Sequence, residues 1–316
     1  MQKVVIMESL GIGREELDSL KKPFEDQGVV FSEYPRTADP EALVRQAADA
    51  DAVIIANMPF PAGVIRRCEK LRFIDVAFTG VDHVGLDAAR EKGITVSNAS
   101  GYSNEAVSEL VLGMALSLVR NIPQVQQRCR DGLTKDGLVG CELKGKTVGI
   151  IGYGKIGRRT AELFHAFGCS LLAHSRRIKE DAPNWVEQVS REELLQRSDI
   201  VVLHCPLNDS TRGMIDYAAL KLMKPSAFLI NVARGPVVAE KDLVRALEEN
   251  LIAGAAADVF DTEPPLPQDT PILRAPRTLL TPHVAFATRE SMSLRAGIVF
   301  ENLRAWLSGD PKNLVL

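Results

Sequence analysis

A strand-like run, Thr147-Val-Gly-Ile-Ile151, leads directly into Gly152-Tyr-Gly154-Lys-Ile-Gly157. These three glycines form G-x-G-x-x-G, a spacing suited to seating the pyrophosphate of a dinucleotide. Gly152 permits the tight turn, Gly154 lets the backbone approach the phosphates, and Gly157 allows close helix–strand packing. The helix that opens at Lys155 and Ile156 turns free N–H groups toward the anion. The pattern also occurs in ordinary loops; a strand before it and a helix after it make it informative. The second strand, Ser170-Leu-Leu-Ala-His174, is where an NAD site carries an acid for the adenine ribose hydroxyls. Here the chain continues Ser175-Arg176-Arg177 and offers no carboxylate. A hydroxyl and two guanidinium groups suit a 2′-phosphate, so NADP(H) is favoured over NAD(H).

Three later segments carry further chemical groups. Phe228-Leu-Ile-Asn-Val-Ala-Arg234-Gly-Pro236 places an arginine just after an apolar strand. Ala255-Ala-Ala-Asp258-Val-Phe-Asp261-Thr-Glu263 places carboxylates after the next, and Leu280-Thr-Pro-His283 places a histidine after the last. In an open parallel sheet the strand C-termini face the ligand crevice, so these groups are expected on the edge that carries the glycine-rich turn.

The elements that must hold them form two βα series. Strands are expected at 4–7, 29–31, 52–56, 73–78 and 95–97, with helices near 40–50, 62–70 and 86–92. Apolar residues at helical spacing predict a long helix from Ser103 or Asn104 to about Arg120. The polar, glycine-containing stretch 121–140 reads as an arm or surface connection. A second series begins at Lys146, with strands at 147–151, 170–174, 200–204, 227–231, 252–258 and 278–281. Helices are expected near 155–167, 191–197, 217–222 and 240–250, and a last one over about 288–308. Continuous rather than alternating apolar strands imply parallel sheets covered on both faces.

The chain's 316 residues favour about two domains. With 46% hydrophobic and 25% charged residues and a net charge of −3, nothing points to disorder or to nucleic acid. No apolar run is long enough for a signal peptide core or a membrane span, so no membrane partner is expected. The five cysteines, Cys68, Cys129, Cys141, Cys169 and Cys205, are scattered and unpaired in pattern. That argues against a disulfide framework or a metal site, favours buried structural thiols, and fits a cytoplasmic protein.

Taken with Thr79-Gly80-Val81-Asp82-His83, the stretch Asn98–Glu109, His204-Cys205-Pro206-Leu207 and the ending Asn302–Val315, the order of these segments resembles the D-isomer-specific 2-hydroxyacid dehydrogenase family over essentially the whole chain. The resemblance implies that Arg234, Glu263 and His283 carry catalysis. It also implies that Thr79, Gly80 and Val81 bind the substrate carboxylate through their backbone, with Arg234 and His283 also at the substrate. Asp258 would orient the nicotinamide carboxamide, and Cys205, Pro206 and Val232 would line the cofactor site. Ala285 stands where the family often has glycine. The chemistry is consistent with these types: a 2-oxo acid needs a hydride on carbon and a proton on oxygen. A histidine can hold that proton near neutrality, a carboxylate can orient the ring and favour its protonated form, and an arginine can pair with the carboxylate and polarise the carbonyl.

The expected fold is two doubly wound, Rossmann-like α/β domains with the active site in a cleft between them. The resemblance implies that residues 1–100 begin a substrate domain and that 101–286 form the cofactor domain. Residues 287–316 return to the substrate domain as a closing helix. Crossings near 98–103 and 284–288 are hinge candidates, and the element at about 103–140 resembles the family's dimerisation element, which implies a homodimer. The expected reaction is NAD(P)H-dependent reduction of glyoxylate or hydroxypyruvate to a D-2-hydroxy acid. A 3-phosphoglycerate dehydrogenase is the enzymatic alternative; Arg66 and Arg67 could suggest a phosphorylated substrate, but they sit on a predicted helix and read as solvated charges. A nucleotide-sensing binding protein without turnover is the alternative from another class.

Overall fold

The computed structural model describes residues 2–316. The chain divides into two compact units, one formed by residues up to Ser103 with Ala287–Leu316, the other by Asn104–Phe286.

The first unit contains β1 (Lys3–Ile6), α1 (Arg14–Glu25), β2 (Val30–Glu33), α2 (Pro40–Ala47) and β3 (Ala52–Ile55). It continues with α3 (Ala62–Arg67), β4 (Phe73–Val76), α4 (Leu86–Glu91) and β5 (Thr95–Asn98). The strands form one parallel sheet in the order β2-β1-β3-β4-β5. Every residue of β3 and β4 is buried, which requires helices on both faces. Short sequence signals fix the helix starts. Asp39 accepts hydrogen bonds from the N–H groups of Glu41 and Ala42, and Pro40 occupies the first turn of α2.

The C-terminal helix, Arg289–Leu307, belongs to this unit because its apolar side lies on β4 and β5. Trp306 stacks on Phe73 at 5.0 Å, and Phe300 meets Phe24 at 5.7 Å. A reciprocal cap between Thr288 and Ser291 starts it. Its Asn302 is completely buried, and its amide donates to Asp75 Oδ1 (3.0 Å) and to the carbonyl of Asn98 (3.1 Å). Asn98 in turn donates to the carbonyl of Thr79 at 2.7 Å, so this helix supports the loop after β4.

Asp75 itself is fully buried, and its Oδ2 has no hydrogen-bond partner. Burial pushes its carboxyl well above the usual carboxylate range, opposed only by Asn302. Folding therefore favours the protonated form. The contribution is full below the unfolded carboxylate pKa and is lost as pH rises toward the folded one. We expect Asp75→Asn to gain stability relative to the parent between pH 5 and pH 8, by at most about 1.4 kcal/mol per pH unit. Urea denaturation at both pH values measures this; a constant difference would show that Asp75 does not titrate there.

The second unit contains α5 (Asn104–Val119), α6 (Ile122–Arg130), β6 (Thr147–Ile151), α7 (Lys155–Ala166) and β7 (Ser170–His174). Next come β8 (Val186–Gln188), α8 (Arg191–Arg197), β9 (Ile200–Leu203), α9 (Tyr217–Leu222) and β10 (Phe228–Asn231). It ends with α10 (Glu240–Glu248), β11 (Gly254–Ala257) and β12 (Thr278–Leu280). Its seven parallel strands run β12-β11-β10-β9-β6-β7-β8. Chain order reverses at β6, which lies between β7 and β9, and this is the switch point where an α/β sheet opens for a ligand.

Three elements differ from the sequence reading. Helix α1 is polar, with few apolar positions and Pro23 in its last turn, so hydrophobic periodicity does not reveal it. Strand β8 has only three residues. The stretch 121–140 contains α6, none of whose residues is buried. The thiols also divide: Cys68, Cys169 and Cys205 are buried, but Cys129 and Cys141 are exposed, against the expectation of buried structural cysteines.

Candidate active site

Because all strands of the second sheet are parallel, the loops after them share one edge. Along that edge come His283 after β12, Asp258 and Glu263 after β11, Arg234 after β10, and His204–Pro206 after β9. The glycine-rich turn after β6 and Ser175–Arg177 after β7 complete the row.

Gly152 has φ 102°, and a Cβ there would lie 2.5 Å from the backbone of His204 and Cys205, so only glycine fits. At Gly154 a Cβ would meet nothing within 4 Å. Protein packing therefore does not require this glycine, whereas a ligand backbone-to-phosphate approach would. A cavity of about 640 Å³ opens at this turn, within the usual size of cofactor and ligand sites. Gly152, Gly154, Ser175, Arg176, Arg177, Cys205 and Pro206 all line it. Ser175 Oγ is buried without a hydrogen-bond partner, an orphan that a bound polar ligand would satisfy. The residues thus fit a nicotinamide dinucleotide. Lys155, Ile156 and Gly157 form the first turn of α7, and neither they nor Val232 and Asp258 are among the residues that line the cavity.

His204 also lines this cavity, and the sequence reading gave it no role. Burial lowers its pKa to about 3, so it is neutral. Ser108 Oγ donates to the carbonyl of Asn104 at 2.7 Å, and Thr160 Oγ1 donates to Ser108 at 3.1 Å. Each hydroxyl has one proton, so His204 Nε2–H must donate to Thr160 (2.9 Å), which fixes its tautomer. Cys205 is an inert part of the wall, with its thiol pushed up to about 11 by burial.

At the other end, His283 Nδ1 lies 2.7 Å from Glu263 Oε2. A carboxylate oxygen accepts, so Nδ1 carries the proton and Nε2 is the nitrogen not engaged by Glu263. The ring also meets Phe286 edge-on at 5.5 Å, and the side chain is only 10% exposed. His283 has φ 56°, an uncommon backbone for a non-glycine residue.

Asp258 holds that conformation. Its Oδ1 accepts from Thr281 Oγ1 (2.6 Å) and Val284 N–H (2.8 Å), its Oδ2 from Ala285 N–H (2.9 Å), and its carbonyl from His283 N–H (2.8 Å). The carboxylate is 0% exposed. The family resemblance assigns Asp258 to the nicotinamide; in this structure it anchors the histidine loop. Asn231 does similar work for Arg234, accepting from Ala233 N–H (3.1 Å) and donating to the Arg234 carbonyl (3.0 Å). Gly235 follows with no room for a side chain, since a Cβ would meet Phe260 at 1.9 Å. The Asn-x-x-Arg spacing at the end of β10 is the sequence signal for this support.

In the first unit, Thr79, Gly80 and Val81 form the loop after β4. None of their N–H groups is used by a hydrogen bond among the described residues. Arg66 and Arg67 lie on α3 and form exposed ion pairs with Glu91 at 3.0 Å and Glu41 at 2.5 Å. Among the described residues no cluster of three or more His, Cys, Asp or Glu could hold a metal.

A doubly wound sheet with a dinucleotide cavity and a paired histidine and carboxylate defines a nicotinamide-dependent oxidoreductase. Residues 112–285 match the family described as D-isomer specific 2-hydroxyacid dehydrogenase, NAD binding domain. The chain is 34% identical to a hydroxypyruvate reductase of Blautia hydrogenotrophica, covering 89% of this chain and 90% of that one. It is 35% identical to a glycerate dehydrogenase of Methylorubrum extorquens, with 99% of each covered. A solved glyoxylate reductase from Paecilomyes thermophila superposes with a TM-score of 0.89 at 29% identity, over 99% of this chain and 98% of that one. The chain belongs to the D-isomer-specific 2-hydroxyacid dehydrogenase family and is an NAD(P)-dependent oxidoreductase of that kind.

Proposed function

We propose that the enzyme reduces a small 2-oxo acid, glyoxylate or hydroxypyruvate before others, to the corresponding 2-hydroxy acid, the D isomer where the product is chiral, and that it prefers NADPH. The observation that carries this reading is the His283–Glu263 pair at 2.7 Å, on the sheet edge that also bears the glycine-rich turn. The names of the relatives support the substrate class.

The bound dinucleotide supplies a hydride. The Gly152–Gly157 turn and the N-terminus of α7 would hold its phosphates, and Ser175, Arg176 and Arg177 would bind a phosphate on its adenine ribose. Arg234 pairs with the substrate carboxylate and draws electron density from the carbonyl. Thr79, Gly80 and Val81 offer their N–H groups to the same carboxylate. His283 delivers a proton from Nε2 to the carbonyl oxygen, and Glu263 keeps Nδ1–H aligned and stabilises the charged ring. Asp258 and Asn231 are positioning residues, each fixing the backbone beside one of the reacting groups.

We also propose a homodimer. The arm after α5 supports it: Ile122, Leu133 and Val139 are exposed apolar residues there, and Val139 is 79% exposed. Sedimentation of the parent protein and of a Val139→Glu variant tests this, with the variant expected to dissociate.

Rates with NADH and NADPH against glyoxylate, hydroxypyruvate, pyruvate and a bulky 2-oxo acid test the reaction. Highest kcat/KM for the first two with NADPH is expected. Cofactor binding without turnover on any 2-oxo acid would overturn the reductase reading, and equal rates with NADH would overturn the cofactor preference.

A further inference from the structure

The cavity wall beyond Ser175–Arg177 bears two more cations and an acid. Lys179, Arg191 and Glu192 come from the loop after β7 and the first turn of α8. All three are carried on pinned backbone. Gln188 clamps Lys179, accepting from its N–H and donating to its carbonyl, each at 2.8 Å. Arg158 holds Asp181 at 2.6 Å, closing the same loop. His174 Nδ1–H donates to the Val189 carbonyl at 3.1 Å, tying the end of β7 to the approach to α8. Ser190 caps that helix by accepting from Glu193 N–H, which sets Arg191 at the cavity's rim.

Arg191 has a resting partner. Its Nε and Nη2 both donate to Glu192 Oε1, at 3.1 and 2.8 Å. The two side chains are 36% and 54% exposed, so this pair is weak and exchangeable. A phosphate dianion brings more charge and more acceptor oxygens than one carboxylate oxygen, and a planar guanidinium binds it by two parallel hydrogen bonds.

We infer that Arg191 is a specificity-determining residue for a phosphate on the adenine ribose, and that Glu192 opposes it by holding Arg191 and repelling the dianion. This rests on the NADPH reading above. It goes beyond Arg176 and Arg177, because it assigns cofactor choice to a residue from another element and gives its neighbour the opposite effect.

The test is direct binding to the full-length protein, by nicotinamide fluorescence for NADPH and NADH and by calorimetry for adenosine 2′,5′-bisphosphate. Arg191→Gln is expected to lower the NADPH-to-NADH affinity ratio about tenfold and to weaken the bisphosphate equally. Arg191→Lys recovers part of the loss, since it restores charge without the fork. Glu192→Gln raises the ratio severalfold. The parent protein alone reports the NADPH reading, and equal parental affinities overturn both that reading and this one. A parental NADPH preference that Arg191→Gln leaves unchanged, or shifts of the same sign from Arg191→Gln and Glu192→Gln, overturns the role of Arg191 alone. Matched melting temperatures exclude misfolding as the cause.

Discussion

Replacing His283 by Ala is expected to lower kcat by about 10²–10⁴ while the dissociation constants of NADH and NADPH stay within about twofold. The direction follows from the ring's setting. Glu263 takes Nδ1–H at 2.7 Å, Phe286 closes one side, and Asp258 holds the backbone on which the ring stands. Removing the ring removes the proton donor, but touches nothing in the cavity at the glycine-rich turn, which His283 does not line. The backbone at φ 56° adds a second, independent readout. His283→Asn places a residue that tolerates this conformation better, so the inactive variant is not expected to melt below the parent. Steady-state kinetics, cofactor titration and thermal melts check all three statements. Unchanged kcat would remove His283 from proton transfer. A parallel loss of cofactor binding would show that the ring shapes the site rather than reacts in it.

How much of this was legible in the sequence depended on whether the signal was local. Buried strands such as β3 and β9 announce themselves as unbroken apolar runs, and the glycine-rich turn is read from adjacent residues. Helix α1 is different: its stability comes from contacts with β2 and the C-terminal helix and from ion pairs such as Lys21–Glu33, none visible as periodicity. The site divides the same way. Arg234, Glu263 and His283 could be named from order and spacing. That Asp258 faces inward to three donors of the His283 loop could not be read, because it depends on the register between β11 and β12. Arg191 escaped notice for a similar reason. It lies fourteen residues beyond Arg177, and only the short strand β8 and the Gln188 clamp bring it to the same cavity.

Arg234→Gln is expected to lower kcat/KM for the 2-oxo acid by about 10³–10⁴, the loss of roughly 4–5 kcal/mol of transition-state stabilisation. Two effects add in this estimate. A charge-assisted, forked pair to the carboxylate is lost, and so is the field that draws charge onto the carbonyl oxygen as the hydride arrives. The first raises KM and the second lowers kcat, so both parameters should move. Arg234→Lys separates them: a lysine keeps the positive charge but not the planar fork. Its kcat is therefore expected to recover more than its KM. The backbone around the position should survive either change, because Asn231 fixes the turn through the main chain of Ala233 and Arg234, to which the guanidinium adds a bond from Nη1 to the Ala233 carbonyl at 2.8 Å. Equal kinetic defects in the Gln and Lys variants would mean that geometry alone matters at Arg234. A defect confined to KM would leave the guanidinium as an anchor for the carboxylate and assign carbonyl polarisation to His283.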